Sequence, residues 1–390
     1  MITAAVVGTG FIAHVHIEAL RRLGIPVAGI LGSDEAKSRR AQQELGLPRA
    51  YATFDELLQD PAVQVVHIAV PNVLHYDLCR RALAAGKHVM CEKPLTLESR
   101  ESADLVARAV RAGRHAGVCY NVRYYPLNLH ARALLRSNEL GRVLAVHGSY
   151  TQDWLLKDSD FNWRVLSDRG GPLRAVADIG THWLYLVQAI SGLRLEQVFA
   201  DLATVHAVRR RPRGGALTFS GRPGAADGAR EAVPITNDDC GNVLLRFAGG
   251  ARGGLYVSQV NAARKNCLRY EIAAERATLA WDSEKPETLW LGRRDSANQS
   301  LVRDPALLAP IAQPFANHPG GHVEGFPDTF KQYFRAFYDA IAGRAPADGP
   351  GYPTFADGHH EIVLLDAILA SHRRQQWMPV ASPGALAATA

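Results

Sequence analysis

The stretch AAVVGTGFIA at residues 4–13 is the strongest indication of the fold class of this chain. Residues 3–7 form a short apolar run typical of a strand buried in a parallel sheet, and an amphipathic helix follows to about residue 22. The glycines between them let a backbone approach a pyrophosphate, and the helix N-terminus offers free N–H groups. The pattern therefore predicts a dinucleotide site, the alternative being a tight turn without a ligand. The candidate contacts are Gly8, Gly10, Phe11 and Ile12, with Ala13 in the place of the third glycine.

Strand and helix patterns alternate regularly over the first 120 residues. Further strands are predicted at 27–31, 65–70, 87–91 and 116–120, and helices at 34–45, 54–59, 73–85 and 97–112. Such alternation implies parallel βαβ units with right-handed crossovers. We predict an α/β fold whose first domain, residues 1–122, is a doubly wound parallel sheet of the Rossmann type.

The second half of the chain follows a different pattern. Helices are predicted at 125–138, near 180–190, at 328–342 and at 355–372, and strands at 143–151, 195–208, 240–248, 252–260, 267–274, 277–281 and 287–291. Strands met in runs predict a mostly antiparallel sheet with helices on one face. We assign residues 123–378 to this α/β domain, with a hairpin turn at Gly249-Gly250, a loop over 210–232 and a small-residue tail over 379–390.

Composition limits the classes of function. A chain of 390 residues suits two domains, and the net charge of +6 is spread along it. The densest basic run, residues 209–213, is interpreted as a solvated loop, and we expect no nucleic-acid partner. No apolar run reaches the eighteen or so residues of a membrane helix. The five scattered cysteines lack zinc spacing, which indicates reduced thiols in a cytoplasmic protein without a metal site.

The end of the second predicted strand bears on the type of cofactor. An acid there normally binds the adenosine ribose, but the sequence is Leu31-Gly32-Ser33 and no acid stands directly at the strand end. Ser33 and Lys37 can hold a 2′-phosphate, whereas Asp34 or Glu35 can simply start a helix. The cofactor is therefore NAD or NADP, with a slight preference for NADP, and Gly32→Asp is expected to favour NAD.

Polar residues follow the other predicted parallel strands at their carboxyl ends, where open α/β sheets bind ligands. These candidates are Pro71, Asn72, His75, Glu92, Lys93 and Asn121. Farther along, Asp178 and His182 are four residues apart, a spacing that shares one face of a helix. Alternatives remain open: Lys93 as a surface residue, Asp178 as a helix N-cap and His182 as a core residue.

Five motifs together carry a family resemblance. GTGFIA, AVPNVLH, CEKP, YNVRYYP and DIGTH, in this order, resemble the glucose–fructose oxidoreductase and inositol dehydrogenase family (Gfo/Idh/MocA) over nearly the whole chain. TQDW, NWR, TNDDC and PTFADG are more loosely similar to its sugar-oxidising branches. The resemblance implies a Rossmann domain, a second domain whose open sheet carries a homodimer or homotetramer interface, and a catalytic set of Lys93, Asp178 and His182.

Oxidation of a secondary alcohol requires hydride transfer to a nicotinamide and removal of the hydroxyl proton. We predict Lys93 as the general acid/base, with His182 as the alternative. Direct contact with Asp178 would favour the charged lysine, so Asp178 is expected to orient His182 or a substrate hydroxyl instead. Side chains suited to a sugar or cyclitol and its cofactor, or equally to ordinary packing, are Arg123, Tyr124, Trp154, Trp163 and Arg164.

Two other functions are compatible with these motifs. The first is a glycoside-cleaving enzyme that uses a tightly held NAD as its redox catalyst. The second is a sugar-sensing or NAD(P)-sensing regulator without turnover, against which the complete set of Lys93, Asp178 and His182 counts. The leading prediction is an NAD(P)-dependent dehydrogenase or reductase of a sugar or cyclitol.

Overall fold

The structure, a computed structural model, describes residues 2–213, 229–346 and 349–381. The strands are β1 (Ala4–Val7), β2 (Val27–Leu31), β3 (Arg49–Ala50), β4 (Val65–Ile68), β5 (His88–Cys91), β6 (Ala116–Val118), β7 (Val143–Thr151), β8 (Leu195–Ala203), β9 (Val208–Pro212), β10 (Arg230–Pro234), β11 (Cys240–Phe247), β12 (Arg252–Ser258), β13 (Cys267–Ala274), β14 (Thr278–Asp282), β15 (Thr288–Gly292), β16 (Gln299–Val302) and β17 (Met378–Pro379). The α-helices are α1 (Phe11–Arg22), α2 (Glu35–Glu44), α3 (Phe54–Gln59), α4 (His75–Ala84), α5 (Ser99–Ala112), α6 (Pro126–Arg136), α7 (Ser167–Gly170), α8 (Thr181–Ser191), α9 (Phe326–Ile341) and α10 (Phe355–Arg374).

The N-terminal half is the predicted doubly wound sheet. Its six strands are parallel, in the order β3-β2-β1-β4-β5-β6. All four residues of β1 are buried because helices cover both faces of the sheet, which explains why the strand is apolar throughout. The two-residue strand β3 is too short to leave a pattern in the sequence.

Helix α9, far along the chain, also packs against this sheet. Phe330 and Phe334 belong to the same apolar cluster as Ala4 and Val6 of β1, and α9 lies beside α1. On the other face, α10 packs against α5. The N-terminal sheet is therefore covered partly by helices from the C-terminal half, and the division of the chain at residue 122 stays a prediction.

The C-terminal half contains a nine-stranded sheet in the order β16-β15-β14-β13-β7-β12-β11-β8-β17. Only the β7–β12 pair is parallel, so the prediction of a mostly antiparallel sheet is confirmed. Strands β11 and β12 form the predicted hairpin, in which Gly249 has a φ of +79°. An oligomer interface on this sheet stays a prediction.

The basic segment after β8 differs from the sequence interpretation. The predicted strand 195–208 divides into β8 and β9, and the ends of the predicted loop 210–232 pair as an antiparallel ribbon of β9 and β10. Arg209 is fully buried and pairs with Asp239, so the basic run is not simply a solvated loop. Residues 214–228, and residues 382–390 of the predicted tail, lie outside the described residues.

Across the described ranges, no helix combines the length and the apolar character that crossing a lipid bilayer takes.

Candidate active site

A cavity of about 860 Å³ extends from the carboxyl edge of the parallel sheet to the helical segment that carries Asp178. The residues on its walls that the sequence analysis proposes are Gly8, Gly10, Phe11, Ile12, Ser33, Lys37, Pro71, Asn72, Glu92, Lys93, Asn121, Trp163, Arg164, Asp178 and His182. The cavity thus joins the glycine turn to the lysine, aspartate and histidine that are distant in sequence. We call the glycine-turn side the cofactor end and the Asp178 side the substrate end.

At the cofactor end the backbone forms the surface. Gly8 has a φ of +117°, and a Cβ there would lie 2.1 Å from the carbonyl oxygen of Ala69, so only glycine fits. Gly10 precedes α1, and a Cβ at this position would meet no atom within 4 Å. No side chain caps α1 and no acid stands in its first turn. A helix start without a capping side chain or an acid, next to this open space, fits the pyrophosphate of a dinucleotide.

Beyond the glycine turn, the strand end at Gly32 meets α2 closely. The Ser38 hydroxyl accepts a hydrogen bond from the Gly32 N–H at 2.8 Å, and a Cβ on Gly32 would lie 2.9 Å from the Ser38 nitrogen. The Lys37 ammonium donates to Ser33 Oγ at 2.8 Å and pairs with Asp34 at 3.1 Å. Asp34 caps α2 by accepting from the Lys37 N–H. Ser33 and Lys37 face the cavity, as expected, but Gly32 has no room for a side chain.

Lys93 and Asp178 form an ion pair at the substrate end. Lys93 Nζ donates to Asp178 Oδ1 at 2.8 Å and to the Asp178 carbonyl oxygen at 2.7 Å. This contact contradicts the expectation that Asp178 is not bound to Lys93 directly, whereas the expected orientation of His182 or of a substrate hydroxyl by Asp178 stays a prediction. Burial alone would raise the pKa of Asp178, but the positive charges of Lys93 and Arg164 outweigh it and hold the pKa well below its ordinary value. Asp178 is therefore an ionised carboxylate with little exposure to solvent.

The backbone around Asp178 is a π-helical turn over Val176–Gly180 that continues directly into α8. Such turns are frequent at functional sites. Asp178 therefore lies inside a helical segment and does not cap it, and His182 one turn later faces the same cavity. The four-residue spacing places both side chains on one face, as the sequence indicates.

His182 has a neutral, buried imidazole. Burial, followed by the charge of Lys93, lowers the pKa of His182 to about 3. Within the described part of the chain, its buried Nδ1 has no hydrogen-bond partner. Since His182 lines the cavity, its neutral imidazole is suited to a hydrogen bond with a bound hydroxyl group.

Trp163 and Arg164 form a second wall of the substrate end. The Arg164 guanidinium lies 4.5 Å from the centre of the Trp163 ring, and its Nε is 3.3 Å from Asp178 Oδ1. Asn162 holds this turn by accepting a hydrogen bond from the Arg164 N–H. Asp178 thus lies between two cations, Lys93 and Arg164, and the Trp163 ring contacts the second of them.

Glu92 connects the cavity to a buried polar chain under α1. Its Oε1 lies 3.1 Å from His16 Nε2, and the other ring nitrogen of His16 lies 3.1 Å from His67 Nδ1. His67 Nε2 lies 2.9 Å from the Tyr338 hydroxyl on α9. Burial alone would raise the pKa of Glu92, but the His16 hydrogen bond and charge outweigh it and lower the pKa.

Four expected site residues do not line the cavity. The ring nitrogens of His75 lie 2.8 Å from the Pro94 carbonyl and 3.0 Å from the Val70 carbonyl, so His75 ties together the loops beside Lys93. Burial lowers the pKa of His75, and its neutral ring donates to only one of these carbonyls. His75 therefore stabilises the loops next to Lys93 and does not line the cavity.

The other three are predicted substrate contacts. Arg123 is bound to the Tyr185 hydroxyl at 2.9 Å, and the Tyr124 hydroxyl donates to the Gly351 carbonyl at 2.7 Å. Trp154 donates from its indole to Gln152 Oε1 at 2.8 Å. These side chains are used in packing, which is the alternative that the sequence leaves open.

Side chains that the sequence analysis does not select complete the substrate end. They are Tyr150, Gln152, Lys265 and Asn266. Asn266 Oδ1 accepts from the Tyr150 hydroxyl at 2.7 Å and from Gln152 Nε2 at 2.8 Å, and Lys265 pairs with Asp153. Gln152 belongs to the TQDW motif, so that motif is a usable signal, whereas Lys265 and Asn266 stand in no motif that the sequence analysis singles out.

Two family models match the chain. Residues 2–120 match the oxidoreductase family with an NAD-binding Rossmann fold, and residues 128–280 match the GFO/IDH/MocA C-terminal domain. An uncharacterized oxidoreductase of Synechocystis sp. is 32% identical over 97% of this chain and 96% of its own length. Levoglucosan dehydrogenase of Pseudarthrobacter phenanthrenivorans is 26% identical over 97% of this chain and 98% of its own length.

Solved structures with the same fold include two sugar or cyclitol complexes. A levoglucosan dehydrogenase in complex with NADH and L-sorbose superposes with a TM-score of 0.86 at 25% identity, covering 98% of this chain and 99% of that one. An inositol dehydrogenase homolog from Azotobacter vinelandii, complexed with NADH and myo-inositol, gives a TM-score of 0.82 at 26% identity and 97% coverage of both chains.

Proposed function

Since the chain belongs to the Gfo/Idh/MocA family of NAD(P)-dependent oxidoreductases, we propose that it interconverts a secondary alcohol and a ketone of a sugar or cyclitol. The observation that carries the proposal is the Lys93–Asp178 ion pair beside His182, whose Nδ1 has no hydrogen-bond partner among the described residues, in the cavity that begins at the glycine turn. The NADH complexes of related proteins with L-sorbose and with myo-inositol support this substrate class.

The cofactor end fits the phosphates and adenosine of NAD(P). Gly8, Gly10 and the start of α1 would bind the pyrophosphate, and Ser33 with Lys37 would bind at the ribose. When bound, the nicotinamide supplies the hydride acceptor or donor that the reaction requires. The chain itself provides the placement of the substrate and the movement of one proton.

Lys93 is the residue that we assign to proton transfer. Two acceptors, Asp178 Oδ1 and the Asp178 carbonyl, hold its Nζ at one edge of the cavity. This arrangement suits donation of a proton to the ketone oxygen, and in alcohol oxidation Lys93 must first be neutral to accept one. With a pKa of about 3, His182 is a weak base at neutral pH, so its role is a hydrogen bond to the substrate hydroxyl.

The lining of the substrate end favours an uncharged polyol. Each cation there already has a carboxylate partner: Lys93 and Arg164 share Asp178, and Lys265 pairs with Asp153. Gln152 and Asn266 add amide groups, and Trp163 adds an apolar ring face. Hydrogen-bonding groups around an apolar face are the combination that a sugar ring or a cyclitol requires.

For the cofactor type, we infer that NADP binds at least as well as NAD. Ser33 and Lys37 face the cavity, Asp34 is occupied as the cap of α2, and Glu35 pairs with Arg39. Lys37→Ala should weaken NADP binding about tenfold, equivalent to about 1.4 kcal/mol, and should leave NAD binding within twofold. A wild-type preference for NAD of tenfold or more would contradict the inference.

The proposed reaction is tested with a panel of sugars and inositols, each with NAD and with NADP. Absorbance of the reduced nicotinamide follows oxidation, and the corresponding ketoses with NADH or NADPH test the reverse direction. We expect turnover of at least one uncharged polyol. Binding of the cofactor without turnover of any member of the panel would contradict the proposal.

A further inference from the structure

We propose that Gln259 is a positioning residue for the catalytic carboxylate, an inference that rests on the proposed function. Gln259 directly follows β12 and is fully buried, and it does not line the cavity. Its Nε2 donates to Asp178 Oδ2 at 2.8 Å, and its Oε1 accepts from Arg174 Nη1 at 3.3 Å. The same Nε2 lies 3.5 Å from Gln152 Oε1, a longer contact, so Gln259 acts on the reaction through side chains of the cavity, and chiefly through Asp178.

The chemistry of its two partners determines which way the Gln259 amide faces. An ionised carboxylate only accepts hydrogen bonds and a guanidinium only donates them. Reversing the amide would place its oxygen against the Asp178 carboxylate and its NH2 group against the Arg174 guanidinium. Only one of the two amide orientations is therefore compatible with both neighbours.

Arg174 cannot move to relieve this constraint. It is buried, pairs with Asp239 and donates to Asn237 Oδ1 at 3.2 Å. Asp239 also pairs with Arg209, whose Nη1 donates to the carbonyl oxygens of residues 157 and 160. The TNDDC motif at 236–240 thus supplies Asn237 and Asp239 to the chain of contacts that ends at Gln259. The proposed reaction does not use this motif directly.

The two oxygens of Asp178 consequently have separate tasks. Oδ1 faces Lys93 and Arg164, while Oδ2 is held by Gln259. Without the Gln259 donor, only the contacts to Oδ1 orient the carboxylate, so the acceptor that places Lys93 Nζ is held less firmly. Since Gln259 does not line the cavity, its loss should lower kcat more than it changes KM.

Charged and titratable groups surround this contact from several elements. They are Lys93, Arg164, His182 and Tyr150 on the cavity side, and Arg174, Arg209, Asp238 and Asp239 on the buried side. A second carboxylate at position 259 would face Asp178 directly, with Arg174 behind it.

The experiment compares Gln259→Met and Gln259→Glu with wild type. Gln259→Met keeps the length and removes the donor, so kcat should fall at least tenfold while KM stays within threefold. In Gln259→Glu, the ionised carboxylate at position 259 cannot donate a hydrogen bond to Asp178, whereas the neutral carboxylic acid can. Its kcat relative to wild type at the same pH should therefore rise at least threefold between pH 8 and pH 6.

The matched control is Gln332→Met on α9, where another buried glutamine bonds to the Phe315 carbonyl at 2.8 Å and to Asn317 at 3.1 Å. Its kcat relative to wild type should not change with pH.

Urea unfolding provides a measurement that does not depend on turnover. The difference in unfolding free energy between Gln259→Glu and wild type should become smaller as the pH falls from 8 to 5.5.

The outcomes separate the two proposals. If no panel substrate is turned over, the proposed function fails, but the pH-dependent stability gap still shows whether residue 259 contacts the Asp178 carboxylate. If wild type is active and Gln259→Met keeps more than half of its kcat, or if the Gln259→Glu ratio is flat with pH, the positioning role is wrong. Failure of both variants to fold, while Gln332→Met folds, would make Gln259 a structural residue and would also overturn the proposal.

Discussion

The two ends of the cavity differ in whether backbone or side chains form the functional surface. At the cofactor end the central feature is backbone: a glycine turn whose shape depends on the absence of a side chain at Gly8, and whose open space depends on the absence of one at Gly10. At the substrate end it is mainly side chains, and the central ones, Lys93 and Asp178, are 85 residues apart in sequence. A backbone site can serve any chain with the same turn, whereas a side-chain site needs specific partners brought from distant segments.

The ends also differ in how their charges are supported. In the Lys37–Asp34 pair at the cofactor end, more than half of the lysine side chain is exposed to solvent. Exposed ion pairs of this kind contribute little to stability. Behind the substrate end, Asp239 is buried between Arg174 and Arg209. Removing one member of such a buried set leaves an uncompensated charge, so this end should be far less tolerant of substitution.

The largest expected effect is on the reaction at the substrate end. Lys93→Met should lower turnover at least a hundredfold, because general acid/base catalysis typically contributes roughly 10²–10⁴ in rate. Cofactor affinity should stay within threefold, since the glycine turn is unaltered. The measurements are kcat on the panel substrate and the cofactor dissociation constant, beside His182→Ala.

The control for this variant is Lys265→Met, which removes a cation from the same cavity but not the one that contacts Asp178. It should keep kcat within tenfold. If Lys93→Met keeps more than a tenth of wild-type turnover while His182→Ala is inactive, His182 moves the proton. If all three variants stay active, the substrate end is not where the reaction occurs.

The next effect tests the backbone-built end. Gly8→Ala should lower the free energy of unfolding by about 3 kcal/mol or more, because its Cβ would overlap the Ala69 carbonyl and its φ is +117°. Gly10→Ala is the matched control for the fold, since its Cβ meets open space. Urea unfolding and cofactor titration are the measurements.

Gly10→Ala should be as stable as wild type to within about 0.5 kcal/mol, yet bind the cofactor at least tenfold more weakly, because the new methyl group takes space beside the helix N-terminus. Unchanged cofactor affinity in Gly10→Ala would mean that the phosphates bind elsewhere.

The smallest effect concerns the pH dependence of stability at the substrate end. The pKa of His182 is lowered to about 3 in the folded protein, against about 6.5 in an unfolded chain. Above pH 6.5 the imidazole is neutral in both the folded and the unfolded protein. As the pH falls from there towards 3, the unfolded chain binds a proton that the folded protein does not bind, so the free energy of unfolding falls. Between pH 7 and pH 5.5 the loss should be about 1 kcal/mol.

His182→Gln should lack this component, so its unfolding free energy should fall by about 1 kcal/mol less than that of wild type over the same interval. Urea unfolding at the two pH values measures the difference. Parallel losses in the variant and in wild type would show that His182 is not held neutral.

Sequence reasoning was most successful where local rules apply. The βαβ alternation places Asn72, Lys93 and Asn121 at carboxyl ends of neighbouring parallel strands, and all three line one cavity. The prediction was wrong for the Asp178 contact and incomplete at Gly32, where α2 leaves no room for the side chain of the expected Gly32→Asp switch. Both depend on how closely separate segments approach, which periodicity does not encode.

The parallel sheet, the glycine turn and the sheet edge expected to bind ligands can be predicted from strand and helix patterns and from chain direction. Which side chains meet at that edge depends on how distant segments pack. Arg123 and Tyr124 turn to internal hydrogen bonds, whereas Gln259, 81 residues from Asp178 in sequence, becomes its buried partner. The physical reason is that a buried polar atom must find a partner among whatever groups the packing brings near, and that choice is made in space and not along the chain.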